Sequence, residues 1–173
     1  LVLQLAFTLK GKKILYVSGE ESLQQIRLRA IRLKMNSRES VFLCETSLEA
    51  ILTVIDQQQP EIVIIDSIQT ASTDLIESSP GSVAQVRECT TAIQKYAKKN
   101  QVVVLLIGHI NKEGNLAGPK VLEHIVDAVI QFEGDAHHQF RILRSIKNRF
   151  GSTSEMGIFE MRQNGLIEIE NPS

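Results

Sequence analysis

The first half of the chain alternates short apolar runs with stretches whose apolar residues recur at helical spacing. Short unbroken apolar runs predict strands that are buried on both faces, as in a parallel sheet. The stretches with helical spacing predict amphipathic helices. The predicted strands cover residues 14–17, 41–43, 62–66 and 102–107, and the predicted helices cover 1–9, 22–34, 47–58 and 82–99.

The apolar stripe of each helix is expected to face the sheet. Ser47 is the predicted N-cap of one helix, and Ser82 begins another with Gln85 at capping-box spacing. The run VVVLLI, residues 102–107, is the strongest candidate for a buried strand in the chain. The inward positions are Leu23, Ile26, Ala30 and Leu33, then Leu48, Ile51, Leu52 and Ile55, then Val83, Val86, Thr90, Ile93 and Ala97.

The pattern changes beyond residue 111. A glycine-bearing loop over 112–119 and a short helix over 120–126 precede several apolar runs, some separated by turn pairs such as Asn164-Gly165. These runs predict antiparallel strands over 128–133, 139–146, 156–162 and 166–169. The expected fold is therefore a single α/β domain over residues 1–173, with a mostly parallel sheet flanked by helices and a C-terminal antiparallel extension.

Polar side chains follow three of the predicted parallel strands. Glu20 comes after ILYV, Asp66 after IVII and His109 after VVVLLI. Open α/β sheets bind ligands beyond the carboxyl ends of their strands, so we expect these groups to converge. An acid that holds Mg²⁺, a carboxylate that polarises water and a polar sensor of the γ-phosphate form the working set of a nucleotide hydrolase. Ser67 could assist Asp66 with the metal ion.

Each of these residues also has a structural interpretation. Asp66 could cap the following turn, Glu20 could be an acid favoured by a helix N-terminus, and His109 could be a hydrogen-bonded core histidine. The coincidence of three such residues on three strand exits favours the functional interpretation.

A second cluster lies near the end of the chain. Lys147 and Arg149 are two residues apart, just past a predicted strand, so they can point the same way. Cations in such a position can neutralise the charge on a phosphoryl group in transfer, which is the role of an arginine finger. A basic loop on a solvated edge remains the alternative.

The bulk composition narrows the possible classes of protein. The chain has 173 residues, 43% hydrophobic and 23% charged, with a formal net charge of −1. Nucleic-acid binding would therefore depend on local basic residues or on several subunits. No apolar run is long enough for a bilayer, so no membrane partner is expected. Cys44 and Cys89 lack metal-site spacing and fit a reducing compartment.

The sequence resembles the RadA (Sms) family, bacterial and plant-organelle paralogues of RecA. The resemblance covers nearly the whole chain, and KNRFG is its most specific motif. It is carried by LYVSGEES, VIIDSIQT, PGSVAQVREC, GHINKEGNLAGPKVLEHIVDAV, FEGD and RSIKNRFGSTSEMGIFEM.

The resemblance implies a RecA-like P-loop ATPase core that uses ATP and Mg²⁺. It implies a hexameric ring that drives branch migration in recombination and repair, on single-stranded and branched DNA, together with the RecA recombinase. A cytoplasmic location, or the stroma or matrix of a plant organelle, would follow.

The resemblance also assigns roles to residues of this chain. Glu20 matches the catalytic glutamate, Asp66 the Walker B aspartate and His109 the γ-phosphate sensor. Lys147 and Arg149 match a basic pair that reaches a neighbour's nucleotide. Loops 71–79 and 112–119 occupy the places of two DNA-facing loops, which makes Lys112 and Lys120 candidate phosphate contacts.

Some family features are absent from this sequence. There is no G-x-x-x-x-G-K-[ST] phosphate loop, no Cys-rich zinc motif and no Lon-protease-like domain. Because the first residue is Leu within a helical pattern, we expect a fragment or a truncated product. Because the phosphate loop supplies the backbone N–H groups that hold the phosphates, we expect this chain to bind ATP poorly and to be inactive alone. Two alternatives remain, a clock-type signalling ATPase and a non-enzymatic truncated ring subunit.

Overall fold

The computed structural model describes residues 1–35, 40–109, 119–134 and 139–169. In order, the elements are α1 (Val2–Thr8), β1 (Ile14–Ser18), α2 (Leu23–Arg32), β2 (Ser40–Cys44), α3 (Leu48–Gln58), β3 (Ile62–Asp66), a 3-10 helix (Ile68–Thr70), α4 (Val83–Asn100), β4 (Val103–Ile107), α5 (Pro119–Glu123), β5 (Ala128–Gly134), β6 (Phe140–Asn148), β7 (Met156–Arg162) and β8 (Gly165–Glu168).

The first four strands form a parallel sheet in the order β2-β1-β3-β4. All three pairings are parallel, as the unbroken apolar runs predicted. In register, Ser18 lies opposite Asp66, and Asp66 lies opposite Ile107. The last residues of β1, β3 and β4 are therefore level with one another, which sets the position of the site described below.

Helices cover both faces of this sheet, so each strand buries alternate side chains into two separate clusters. One cluster joins α3 and α4 to residues such as Val17 and Ile65. The other joins α1 and α2 to residues such as Tyr16 and Ile64. The alternation of successive side chains between the two faces of a strand explains why neighbouring residues belong to different clusters.

Serine caps begin three of the helices. The hydroxyls of Ser22, Ser47 and Ser82 each accept a hydrogen bond from the backbone N–H three residues later. The predicted caps at Ser47 and Ser82 are confirmed. Gln85 does not complete a capping box, because its side-chain amide bonds the backbone of Thr73 and the carbonyl of Ser78.

The last four strands form an antiparallel sheet in the order β5-β6-β7-β8. The predicted C-terminal extension is confirmed, although within the described residues no ladder joins it to the parallel sheet. Gln4 of α1 links the two parts of the chain, since its side chain accepts from Leu166 N at 2.9 Å and donates to Leu166 O at 3.1 Å.

Three details of the predicted burial are wrong. Leu23 and Val83 were assigned inward but are 52% and 42% exposed. Each is the first residue of its helix, but Leu48 has the same position in α3 and is 2% exposed, so this position alone does not determine burial. β4 was the strongest candidate for a buried strand, yet Val103 is 57% exposed and the rest of β4 is half-buried. β4 is at the edge of its sheet, which leaves it less covered than β1 or β3.

Some predicted bounds also shift. β6 extends to Asn148, so Lys147 lies within the strand rather than past it. The helix α5 ends at Glu123 instead of residue 126. No helix among the described residues has the length and apolar character needed to cross a bilayer.

Candidate active site at the carboxyl edge of the parallel sheet

The ends of β1, β3 and β4 bring the predicted polar residues together. Because Ser18, Asp66 and Ile107 are level, Glu20 and His109 each lie two residues beyond the edge, on either side of Asp66. Ser67 follows Asp66 through a cis peptide bond. Of the three residues expected to converge, Glu20 and His109 contact each other, and Glu20 also contacts Ser67, the residue next to Asp66.

Glu20 is held by two neighbours through the same carboxylate oxygen. Ser67 is fully buried, and its hydroxyl donates to Glu20 Oε1 at 2.7 Å. His109 Nε2 lies 3.5 Å from the same oxygen. The side chains of His109 and Glu20 are 57% and 48% exposed, so the interpretation of His109 as a core histidine is wrong. An exposed pair of this kind adds little to stability.

Asp66 is held from the neighbouring strand. The hydroxyl of Tyr16 donates to Asp66 Oδ2 at 2.5 Å. Burial raises the pKa of Tyr16, and the hydrogen bond to Asp66 raises it further, so the phenol remains a neutral donor. The interpretation of Asp66 as a helix cap is not supported, since no side-chain cap hydrogen bond occurs at the start of the 3-10 helix.

The backbone at the site is closely packed. Gly19 N donates to Asp66 O at 2.9 Å, and the Thr70 hydroxyl donates to Ser67 O at 2.7 Å. A Cβ added at Gly19 would lie 1.8 Å from Thr70 Oγ1, so only glycine fits there. These contacts fix the two segments that carry Glu20 and Asp66 relative to each other.

Lys147 and Arg149 do point the same way, toward the end of α5. Lys147 Nζ donates to the carbonyl oxygens of Glu123 and Val126, the latter at 2.9 Å. Arg149 forms an ion pair with Asp127 at 2.9 Å and donates to His124 O at 3.4 Å. In this chain the pair therefore binds the carbonyl groups at the C-terminal end of a helix, an environment that favours cations.

Neither candidate DNA contact has its side chain among those that the structure describes. Lys112 lies outside the described residues. Lys120 belongs to α5, but its side chain is not among those that the structure describes. The loop over 71–79 is fastened by Gln85, which is 2% exposed and bonds Thr73 N at 3.0 Å.

The possible ligands at this edge of the sheet suit Mg²⁺ better than a metal ion whose ligands are all protein side chains. Among the described residues, no group of three or more His, Cys, Asp or Glu side chains is arranged to hold a metal ion. Mg²⁺ commonly takes one or two carboxylates together with water and substrate phosphates. Asp66 supplies one carboxylate at the sheet edge, with Tyr16 on one of its oxygens, so the residues present fit this ion.

Comparison with known proteins gives consistent results. The chain matches the AAA domain family over residues 3–115. It is 53% identical over 166 residues to the DNA repair protein RadA of Listeria monocytogenes, covering 96% of this chain and 36% of that protein. It is also 53% identical over 175 residues to the DNA repair protein RadA of Bacillus subtilis, covering 100% of this chain and 38% of that protein. The chain belongs to the RadA family.

The chain spans only 36% and 38% of these two RadA relatives. Among solved structures it is similar to a KaiC-like protein from Pyrococcus horikoshii, with a TM-score of 0.73 and 16% identity, over 96% of this chain and 81% of that one. At that identity the likeness shows the fold alone, and it confirms the predicted RecA-like core.

Sequence reasoning missed several residues of this RadA-family site. Tyr16 and Thr70 were not singled out, and Ser67 was assigned to the metal ion rather than to Glu20. A signal existed for Tyr16, because a tyrosine inside a buried strand needs a partner for its hydroxyl. Asp127, the partner of Arg149, gave no such signal because it lies in no periodic pattern.

Proposed function

We propose that this chain is the ATP-hydrolysing core of a DNA motor that drives branch migration in homologous recombination and repair. The observation that carries the proposal is the contact of Glu20 with Ser67 and His109, beside Asp66, at the edge where α/β sheets bind ligands. Membership of the RadA family supports the connection with DNA repair.

Each residue of the cluster has a role in this proposal. Asp66 holds Mg²⁺, which when bound neutralises charge on the phosphates of ATP. Glu20 polarises the attacking water with the carboxylate oxygen that Ser67 does not hold. His109, exposed and close to Glu20, detects the γ-phosphate.

Lys147 and Arg149 would act on the nucleotide of a neighbouring subunit in a hexameric ring. In the single chain, both side chains make contacts near the end of α5. In a ring, the phosphates of a neighbour's nucleotide would attract both cations away from these contacts. Arg149 is 42% exposed, so an incoming phosphate has access to it.

DNA would be bound through the loops 71–79 and 112–119, with Lys112 and Lys120 at the phosphates. Single-stranded and branched DNA and the RecA recombinase are the proposed partners. The predicted location, bacterial cytoplasm or plant-organelle stroma or matrix, stays a prediction.

The main test uses a protein that contains this chain together with the phosphate loop predicted for its family. We expect ATP hydrolysis that needs Mg²⁺ and rises with single-stranded DNA, and DNA binding that weakens as salt increases. Glu20→Gln should lower the rate about 100-fold or more while ATP still binds. Hydrolysis without any response to DNA, or autophosphorylation, would favour a signalling ATPase instead.

A second test concerns the chain as it stands. Calorimetry with a non-hydrolysable ATP analogue should show little binding, because the backbone cradle for the phosphates is absent from this sequence. Tight binding would contradict the expectation that this chain is inactive alone. If this chain joins rings of the longer protein and blocks their ATP hydrolysis, that result would support the non-enzymatic alternative.

The proposed action between subunits can be tested with mixed rings. Rings of Lys147→Ala or of Glu20→Gln subunits should both be nearly inactive. If the basic pair acts on the neighbour, mixing the two variants should restore part of the activity, because some interfaces then carry both intact halves. An absence of restored activity would show that Lys147 acts within its own subunit or on DNA.

A further inference from the structure

Tyr16 has an unusual position for a hydroxyl group. It lies in the middle of β1, is 1% exposed, and is surrounded by the apolar cluster between the sheet and the helices α1 and α2. In register it is opposite Ile64, so its hydroxyl extends along β3 to Asp66, two residues further. The hydroxyl donates to Asp66 Oδ2 at 2.5 Å.

The ring of Tyr16 is held in place by aromatic neighbours. Its centroid lies 5.6 Å from that of Phe42, and Phe42 in turn packs against Phe7 at 5.7 Å. Contacts of this kind fix the ring within the core. The hydroxyl is therefore presented to Asp66 in one position, before any ligand arrives.

We propose that Tyr16 is a positioning residue for the metal ligand of this site: it fixes Asp66 Oδ2 and so directs the other carboxylate oxygen toward Mg²⁺. This inference rests on the proposed function, because it takes Asp66 as the residue that holds the ion. Side chains that orient a metal ligand in this way commonly change metal affinity 10- to 100-fold when removed.

A purely structural role makes a different prediction. If the hydrogen bond only satisfies a buried hydroxyl, its loss would change stability and leave metal affinity unaltered. The chain offers a matched control for this distinction, since its other tyrosine, Tyr96, also donates its hydroxyl to an aspartate, Asp56. That pair joins α4 to α3, away from the strand exits.

The experiment measures Mn²⁺ binding to the isolated chain by paramagnetic broadening of its amide resonances, which detects weak binding. In the wild-type chain, Mn²⁺ should broaden the amides around Asp66, and Asp66→Asn should abolish the effect. Tyr16→Phe should weaken Mn²⁺ binding about tenfold while the remaining spectrum is preserved. Tyr96→Phe should leave the affinity unchanged.

Each other outcome is decisive. An affinity unchanged by Tyr16→Phe would overturn the positioning role and leave the proposed function intact. Broadening that persists in Asp66→Asn would remove the metal site, and with it both the inference and the assignment of Asp66. If phenylalanine disturbs the core, Tyr16→Met also removes the donor and packs flexibly, and it must show the same weakening.

Discussion

Thr70 packs its side chain directly against the backbone of Gly19. A Cβ atom added at residue 19 would lie 1.8 Å from Thr70 Oγ1 and 2.6 Å from Thr70 Cβ. Neither atom can move freely, because the Thr70 hydroxyl also donates to Ser67 O. Position 19, between β1 and α2, can therefore accommodate glycine but no larger residue.

Gly19→Ala should accordingly destabilise the chain. Inserting a methyl group into a well-packed region costs about 1–3 kcal/mol, and we expect a value near the upper end because the clash involves a fixed side chain. The free energy of unfolding in urea measures the effect. Gly108→Ala is the control, since its nearest neighbour would be 3.7 Å away, and it should change stability by less than about 0.5 kcal/mol. Equal effects of the two substitutions would contradict the proposed clash.

At the scale of single residues, the sequence identified the side chains at strand exits but not their partners. Glu20, Asp66 and His109 were found because each lies within three residues after an apolar run, and the ends of parallel strands lie at one edge. The bonds from Tyr16 to Asp66 and from Ser67 to Glu20 depend on the register of β1 against β3. No local pattern encodes that register, so these contacts required the structure.

Among the elements, the start of α3 is stabilised by a carboxylate whose pKa is lowered in the folded chain. Glu45 accepts hydrogen bonds from Ser47 N at 2.9 Å and Thr46 N at 2.7 Å, just before the helix begins. These bonds, that from Ser47 first, hold the pKa of Glu45 below its ordinary value of 4.5. The folded carboxyl thus binds its proton less readily than the unfolded one, which stabilises the fold above pH 4.5.

The stability contributed by Glu45 should be lost as the pH falls through its lowered pKa. Between about pH 6 and about pH 3, we expect the Glu45→Gln variant to lose less stability than the wild type. The reason is that the variant has no carboxyl group at residue 45 to become protonated. Urea unfolding at a series of pH values provides the measurement. The exposed Glu155, in the segment before β7, provides a control substitution, and Glu155→Gln should leave the wild-type pH dependence unchanged. Parallel curves for Glu45→Gln and the wild type would contradict the prediction.

Whether a segment is a helix or a strand was easier to predict from the sequence than how deeply it is buried. The strand over residues 102–107 was identified because it is wholly apolar, yet β4 lies at a sheet edge and exposes Val103. An apolar run indicates a strand but carries no information about how many neighbours the strand has. Similarly, the helix stripes were correct at Ile26, Leu48 and Val86 but not at Leu23 and Val83.

At the scale of the whole molecule, one side chain joins residues that are 162 positions apart. Gln4 in α1 offers its carbonyl to Leu166 N and its amide to Leu166 O, as a neighbouring strand would. Gly165 makes this approach possible, because a Cβ there would lie 2.8 Å from the Gln4 amide. Gln4 thereby ties the antiparallel sheet to the first helix, a link that no periodicity in the sequence indicates.

Gln4→Ala should loosen this link without unfolding either part. Leu166 would lose a donor and an acceptor partner, and each lost hydrogen bond is worth about 1 kcal/mol. We expect hydrogen exchange at Leu166 N to accelerate about fivefold or more, since 1 kcal/mol corresponds to roughly that factor. Exchange in β1 and β3 should stay slow, because those strands are held by the parallel ladder.

Gln24→Ala, at an exposed position of α2, is the matched control, and it should leave hydrogen exchange at Leu166 unaffected. Unchanged exchange at Leu166 in Gln4→Ala would show that β8 is held by β7 alone.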